Sequence, residues 1–191
     1  MKKSILTSLG MLLVMALITG VAYPLLITVL AVFLMPGRAM GSLVIGDGRC
    51  VGSALVGQQF AGDGYFHGRP SASDYGTMPS MASNAGPTSA QLRQAVDARR
   101  SAFQKVNRLP ADSAIPTEML FASGSGLDPH ISPAAAQCQT LRVATARKIA
   151  VTKVDSLVTV CTDPAQWGFL GQPRVNVLRL NMSLDARCER K

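Results

Sequence analysis

Residues 5–35 read ILTSLGMLLVMALITGVAYPLLITVLAVFLM and contain no charged residue. An α-helix needs about 20 apolar residues to cross the hydrocarbon core of a bilayer, and this run is longer than that. Pro36 and Gly37 follow the run and end the helix. The sequence therefore predicts a cytoplasmic segment at 1–4, a transmembrane helix at 5–35 and a folded domain at 36–191.

A cleaved signal peptide is the alternative interpretation, because Lys2 and Lys3 would form its charged start and Gly20–Ala22 resembles a cleavage site. The apolar run is roughly twice as long as the core of a signal peptide, which favours an uncleaved anchor. The two lysines precede the run, whereas Arg38 alone lies close behind it. The positive-inside rule therefore places the N-terminus in the cytoplasm and the domain outside the membrane.

One face of the predicted helix carries small and hydroxyl-bearing residues that suit contact with another membrane helix. The candidate packing face consists of Ala16, Thr19, Gly20, Tyr23 and Pro24. Pro24 also marks a kink point, because its ring crowds the preceding turn and it has no backbone donor. The alternative is that alanine and glycine occur here only because they are common in membrane helices.

Short apolar or β-branched runs after the anchor predict four strands, at 42–45, 50–56, 118–121 and 174–184. Gly46–Gly48 has turn composition between the first two strands. Residues 57–87 contain many Gly, Ser and Pro residues without periodicity, which predicts a long loop.

Capping residues predict three helices, which begin at the N-caps Thr88, Ser132 and Thr152. The first helix ends near Asn107 and the second near Ile149. Apolar spacing in the third helix places Cys161 on its buried face. Helices and strands alternate without a regular βαβ repeat. The predicted fold class is α+β, with one N-terminal transmembrane helix followed by a small mixed extracytoplasmic domain.

Side chains with catalytic or metal-binding chemistry are few. Ser125, Asp128 and His130 lie close together, but the Gly-x-Ser-x-Gly pattern is absent, and a Gly-rich turn with a capping aspartate accounts for them equally. A metal site would have to combine His67 and His130 with Asp63 or Asp128, and no Cys-x-x-Cys pair supports it. The sequence favours a domain without its own active site.

The 191 residues carry a formal net charge of +8, with 5% aromatic residues. The basic residues are scattered rather than clustered with aromatic residues, which argues against a nucleic-acid partner. Four cysteines, Cys50, Cys138, Cys161 and Cys188, allow three pairings. An oxidising compartment favours at least one disulfide, whereas Cys138 and Cys161 on apolar helical positions are equally typical of free core thiols.

Six short runs occur in the order in which they stand in one protein family. They are Thr19–Leu26, Gly52–Gln58, Phe66–Ala72, Asn84–Thr88, Ala122–Ala136 and Gly168–Asn181. On these runs the chain resembles the C subunit of the bacterial potassium-importing P-type ATPase complex, the Kdp system. The tail at 186–191 has no counterpart in that pattern.

The resemblance implies an accessory subunit of the inner membrane that is needed for assembly and acts as a catalytic chaperone, raising the ATP affinity of the ATPase subunit. The implied partners are membrane lipid, the P-type ATPase catalytic subunit and the channel-like potassium-binding subunit. ATP and potassium would act in the complex, and no cofactor is assigned to this chain. Direct nucleotide contact, for example through Gln172, would require the opposite topology.

Two loops with residues of fixed backbone geometry are candidate docking loops toward these partners. They comprise Phe66, His67, Gly68, Arg69 and Pro70 in the first loop, and Gly124, Ser125, Gly126, Asp128 and His130 in the second. Alternatively these residues only form turns of the domain itself. At the level of function, the alternatives are a membrane-tethered extracytoplasmic enzyme and a tethered ligand-binding module.

Overall fold

The computed structural model describes residues 2–46 and 48–188, with side chains described up to Ala186. Contacts divide the chain into two compact units, and the division falls between Leu43 and Val44.

The N-terminal unit is a helix that is long and apolar enough to cross a membrane, spanning Lys2–Leu34. It consists of α1 (Lys2–Leu17), a π-helical turn (Ile18–Ala22) and α2 (Tyr23–Leu34). No residue in its most apolar stretch is buried within the protein, which makes this helix a candidate membrane span. This confirms the predicted N-terminal apolar helix. A short helix, α3 (Pro36–Ala39), follows it.

The irregularity expected at Pro24 is a π-helical turn directly before it. The N–H of Tyr23 bonds to the carbonyl of Ile18, five residues back rather than four. Proline cannot donate to the carbonyl four residues before it, and its ring crowds that turn. Widening the helix by one residue relieves this crowding.

The second unit contains two small sheets. Strands β1 (Leu43–Gly46) and β2 (Arg49–Ser53) form a two-stranded sheet. Strands β3 (His130–Ile131), β4 (Thr162–Asp163) and β5 (Arg174–Asn176) form an antiparallel sheet in the order β3-β5-β4.

Four helices complete this unit: α4 (Ala90–Asn107), α5 (Pro133–Arg147), α6 (Val151–Val160) and α7 (Val177–Cys188). Ser132 caps α5 as predicted, because its hydroxyl accepts from the N–H of Ala135. The cap of α4 is Ser89 rather than Thr88, one residue later than expected. Thr152 lies inside α6, whose N-cap is Ala150. The mixed α+β class is confirmed.

Two predicted strands are wrong. Residues 117–119 form a 3₁₀ turn rather than a strand at 118–121. The run 174–184 is a strand for three residues only and then becomes α7. Helical spacing explains the second error, because the buried residues of α7 are related by intervals of three and four: Val177, Leu178, Leu180, Asn181 and Leu184.

The core lies where α5, α6 and α7 pack against the three-stranded sheet. Its fully buried members include Ala135, Val143, Val154, Val175 and Leu180. Phe66 from the long loop is also completely buried in this core, so the loop is fixed to the domain. Cys161, expected on the buried face of α6, ends that helix half-buried.

The expected disulfide is absent from the cysteines that the structure describes. Cys50, Cys138 and Cys161 are free thiols, and the side chain of Cys188 lies outside the described residues. Burial raises the pKa of the Cys138 thiol, which keeps it protonated near neutral pH. Cys138 and Cys161 are small, partly buried side chains, whereas Cys50 is exposed.

Two buried amide side chains hold the long loop as a neighbouring strand would. The side chain of Asn181 bonds both the N–H and the carbonyl of Phe66, at 2.8 and 2.9 Å. The side chain of Gln139 does the same for His67, at 2.8 and 3.0 Å. The backbone polar groups of this segment are therefore satisfied without a sheet.

Arg142 joins this network from α5 although it is only 3% exposed. Its Nη1 donates to the carbonyls of Asp63 and Tyr65 at 2.7 and 2.9 Å. Its Nε and Nη2 donate to the side chains of Asn107 and Gln139 at 2.9 and 2.8 Å. Burial lowers the pKa of Arg142, and the charge of Asp63 acts in the opposite direction. One guanidinium thus connects α4, α5 and the long loop.

Replacing Arg142 with methionine should destabilise the domain by about 3 kcal/mol, because buried acceptors lose their donors. Arg93→Met, at an exposed position of α4, is the matched control and should change the free energy of unfolding little. Unfolding of the full chain in mild detergent, followed by far-UV circular dichroism, measures both. Equal stability of the two variants would contradict the role assigned to Arg142.

Candidate functional site

The two candidate docking loops lie beside each other. The N–H of Ser123 bonds to the carbonyl of Pro70 at 3.1 Å. Arg69 Nη1 lies 2.8 Å from Asp128 Oδ2, in an ion pair whose two side chains are 26% and 30% exposed. The structure therefore brings the two sets into one surface, although 59 residues separate Arg69 from Asp128 in the chain.

Asp128 organises the second loop. Its Oδ1 accepts from the N–H of His130 at 2.9 Å, while the ring Nδ1 of His130 lies 3.7 Å away, beyond hydrogen-bond distance. Burial acts to raise the pKa of Asp128, but the contacts with His130 and with Arg69 outweigh it and lower the pKa from 3.8 to about 2. Asp128 is consequently a carboxylate at neutral pH.

Two glycines allow the loops to approach closely. The N–H of Gly57 bonds to the carbonyl of Leu127 at 2.7 Å, and a Cβ on Gly57 would lie 2.7 Å from the carbonyl oxygen of Asp128. A Cβ on Gly68 would lie 2.7 Å from the hydroxyl of Tyr75, which donates to the carbonyl of Arg69. Only glycine fits at these positions without displacing its neighbours.

Gly57 and Tyr75 were not among the residues expected in the site. Gly57 could have been found from the sequence, because it belongs to one of the six family-like runs. Tyr75 lies in the aperiodic loop and has a positive φ of 60°. Burial raises its pKa, with the charge of Asp128 acting in the same direction. No sequence pattern pairs Tyr75 with Arg69, since only the folded loop brings them together.

Ser125 and Asp128, the chemically suggestive residues of the second loop, are engaged within that loop and with Arg69 of the first loop. Ser125 is exposed, and its Oγ accepts from the N–H of Leu127 at 3.1 Å. Asp128 pairs with Arg69 rather than orienting His130 as a base. Gly124 has open space beside it. This arrangement matches the Gly-rich turn with a capping aspartate, not an aligned nucleophile and base.

The two histidines lie in separate environments. His67 Nε2 contacts the carbonyl of Gly62 at 3.1 Å, and burial followed by the charge of Arg142 lowers the pKa of its ring. Within residues 2–46 and 48–188, no three His, Cys, Asp or Glu side chains cluster as metal ligands would.

A cleft of about 320 Å³ opens between the first docking loop and α4. Its walls are mostly apolar, and they include Phe60, Phe103 and Val106. Arg69 and Arg99 lie at its border, and Nε of Arg69 is buried without a hydrogen-bond partner. A cleft of this kind can accept an apolar side chain that has an acidic neighbour.

The five residues of the candidate packing face lie on the exposed surface of the apolar helix. No atom lies within 4 Å of the position that a Cβ on Gly20 would occupy. The hydroxyl of Thr19 donates to the carbonyl of Met15 at 2.7 Å, so it is already used within its own helix. A neighbouring helix would thus meet a shallow surface at Ala16 and Gly20.

Residues 5–186 match the family model described as K+-transporting ATPase, c chain, or KdpC. The chain belongs to the KdpC family. A potassium-transporting ATPase KdpC subunit of Cereibacter sphaeroides is 49% identical over 179 residues, which cover 94% of this chain and 95% of that protein. Subunits of the same name from Methylococcus capsulatus and Mycobacterium tuberculosis are 49% and 46% identical and cover at least 94% of both chains.

The resemblance carried by the six sequence runs is thus confirmed along almost the whole chain. The family match ends at residue 186, where the tail without counterpart begins. The docking loops and the Arg142 network lie within the matched region, and α7 ends two residues beyond it. The site described here therefore belongs to a KdpC subunit of a K+-transporting ATPase.

Gly57→Ala should disturb the contact between the two docking loops, because the added methyl would meet a backbone atom that cannot move alone. We expect a loss of about 1–3 kcal/mol in stability and faster proteolytic cleavage within 124–130. Gly64→Ala is the matched control, since its Cβ would make only ordinary contacts, at 3.5 Å or more, with Arg147. Equal protease resistance of the two variants would rule out the close approach.

Asp128 should make stability depend on pH in the acid range. Because its folded pKa lies below its unfolded value, the stabilisation is complete above about pH 4 and disappears as the pH falls toward 2. The difference in urea midpoint between the wild type and Asp128→Asn should accordingly shrink between pH 5 and about pH 2.5. A difference that stays constant over this range would show that the ion pair does not lower the pKa.

Proposed function

We propose that this protein is a non-catalytic accessory subunit of an ATP-driven potassium import complex in the bacterial inner membrane, and that the complex needs it for assembly. The observation that carries this proposal is that the carboxylate of Asp128 is bonded to Arg69 and to a backbone N–H of its own loop. The conspicuous polar side chains of the domain thus serve to hold its surface loops in place. The apolar helix and the cleft remain open to other molecules.

The partners in this proposal are the P-type ATPase catalytic subunit and the channel-like potassium-binding subunit of the same complex. The apolar helix would pack against their membrane helices through Ala16, Thr19, Gly20, Tyr23 and Pro24. Open space beside Gly20 supports this, because close approach of two backbones is the main source of affinity between helices in lipid. Lipid would cover the rest of the helix.

The docking loops and the cleft would hold the folded domain against a partner subunit. The ion pair between Arg69 and Asp128 and the close approach at Gly57 make this surface rigid before binding. A preformed surface loses less conformational entropy on association. An apolar partner side chain with a carboxylate beside it would suit the cleft and its arginine border.

The topology proposed here has residues 1–4 in the cytoplasm, 5–35 in the membrane and 36–191 outside. ATP would then act on the cytoplasmic side, away from this domain. A catalytic-chaperone effect on ATP affinity would have to pass through the membrane helices, as a coupling free energy between two conformations of the complex. The absence of a phosphate-binding loop from the sequence supports this indirect route over direct contact through Gln172.

A ligand-binding module tethered to the membrane is the second candidate function. The cleft of about 320 Å³ favours it, because that volume is at the lower end of the range of small-molecule sites. The two functions differ in what they require of the anchor. A binding module would keep its activity when joined to an unrelated membrane helix, whereas an accessory subunit would not.

Gly20→Leu should weaken assembly, because the larger side chain would hold a neighbouring helix away. The full chain, tagged at its C-terminus, is purified in mild detergent. The co-purifying subunits are identified, and potassium-stimulated ATP hydrolysis is measured against ATP concentration. We expect the recovery of partner subunits to fall about tenfold, as for a loss of about 1.4 kcal/mol.

Val21→Leu is the matched control, since it enlarges a neighbouring exposed position that lies outside the packing face. It should leave assembly unchanged. Purification of the wild-type chain without an ATPase or a channel-like protein would overturn the accessory-subunit proposal. Full assembly of Gly20→Leu would overturn only the assignment of the packing face.

A further inference from the structure

The connection between β4 and β5 places three large apolar side chains in water. Trp167, Phe169 and Leu170 are 84%, 79% and 50% exposed. The two aromatic rings lie against each other, with centroids 6.5 Å apart, rather than against the core. Residues 166–170, here called the aromatic tip, therefore form an apolar protrusion that the fold itself does not use.

The aromatic tip is ordered by its own backbone. Gln166 and Leu170 exchange two hydrogen bonds, at 2.8 and 2.9 Å, across an antiparallel bridge. Trp167 and Gly168 take positive φ values of 52° and 82° to close the turn. A tryptophan in this backbone region is uncommon and strained, so the turn holds the indole outward at a cost to the domain.

The charges near the aromatic tip favour a lipid surface over other binding partners of the tip. No Asp or Glu occurs between residues 164 and 184. Arg174 lies four residues beyond the tip and is exposed, opposite Asp163 in the register of β4 and β5, and Arg179 is exposed further on. Tryptophan and phenylalanine favour the boundary between headgroups and acyl chains, and arginine favours anionic headgroups. Since the chain carries a helix apolar enough to span a membrane, a bilayer surrounds the protein where it works.

We propose that the aromatic tip inserts into the interfacial region of an anionic bilayer, with Trp167, Phe169 and Leu170 among the upper acyl chains and Arg174 at the headgroups. Transfer of the apolar side chains out of water drives the insertion, and the charge of Arg174 strengthens it on anionic lipid. The domain would then have a second attachment to the membrane, separate from its helical anchor. The chemistry is the same on either side of the membrane, so this inference does not rest on the proposed topology.

The sequence supplies the reporter for a test, because Trp167 is its only tryptophan. The full chain is reconstituted into phosphatidylglycerol vesicles, with or without lipids brominated near the top of the acyl chains. Bromines near the top of the acyl chains should quench roughly half or more of the Trp167 emission. The emission maximum should also lie at a shorter wavelength than that of an indole exposed to water. Phosphatidylcholine vesicles should show weaker quenching, because the attraction to Arg174 is missing.

Two variants keep the reporter and test the two parts of the proposal. Phe169→Ser combined with Leu170→Ser changes only exposed side chains, so the fold should persist while quenching falls in both lipids. Arg174→Gln should reduce quenching in phosphatidylglycerol vesicles alone. Circular dichroism spectra equal to that of the wild type verify folding.

Water-like emission without quenching in phosphatidylglycerol vesicles would overturn the proposal. If the blue shift occurred only in the purified complex and brominated lipid did not quench it, the tip would dock on a partner subunit instead, which also overturns it. Quenching that is the same in both lipids and unaffected by Arg174→Gln would remove the role of the arginine and of anionic lipid.

Discussion

The folded domain depends on how the buried guanidinium of Arg142 is satisfied. A charged group with 3% exposure is costly unless every donor finds an acceptor. Arg142 finds two backbone carbonyls of the long loop, an amide oxygen at the end of α4 and another on its own helix. All these acceptors are neutral and lie in fixed places. The loop consequently has one position relative to α4 and α5, and the burial of Phe66 and the bonds from Asn181 and Gln139 reinforce it.

That fixed position makes a rigid surface out of a segment that would otherwise be mobile. The first docking loop begins next to the Arg142 network and continues to Arg69. The side chain of Arg69 lies 2.8 Å from that of Asp128 in the second loop. Tyr75 and Gly57 close the remaining space around this pair. Because the carboxylate of Asp128 is bonded within the surface, the loops offer a partner a defined shape and an apolar cleft rather than reactive groups. Such a surface suits recognition between subunits better than it suits catalysis.

The two units of the chain differ in the direction in which their apolar side chains face. In the N-terminal helix apolar side chains face outward, backbone groups bond within the helix, and even the Thr19 hydroxyl turns back to a carbonyl. In the second unit the core is built from inward-facing apolar residues, and the aromatic tip is one of several places where large apolar side chains stay exposed. The aromatic tip, the cleft and the exposed Gly20 surface are the places where we propose that this subunit meets lipid and its partner subunits.

The sequence alone determined the features that depend on neighbouring residues: the apolar helix of 33 residues, the cap at Ser132, the mixed class and the six family runs. It misjudged 174–184, because apolar residues spaced for a helix directly follow a short strand and resemble an extended strand. It also expected a disulfide, whereas Cys50, Cys138 and Cys161 are free. The tertiary structure alone decided the roles of Arg142, Tyr75 and Asp128. Arg69 lies 59 residues from Asp128, Asp63 lies 79 residues from Arg142, and Tyr75 lies in a loop without periodicity. Local sequence patterns carry no information on contacts that only folding creates.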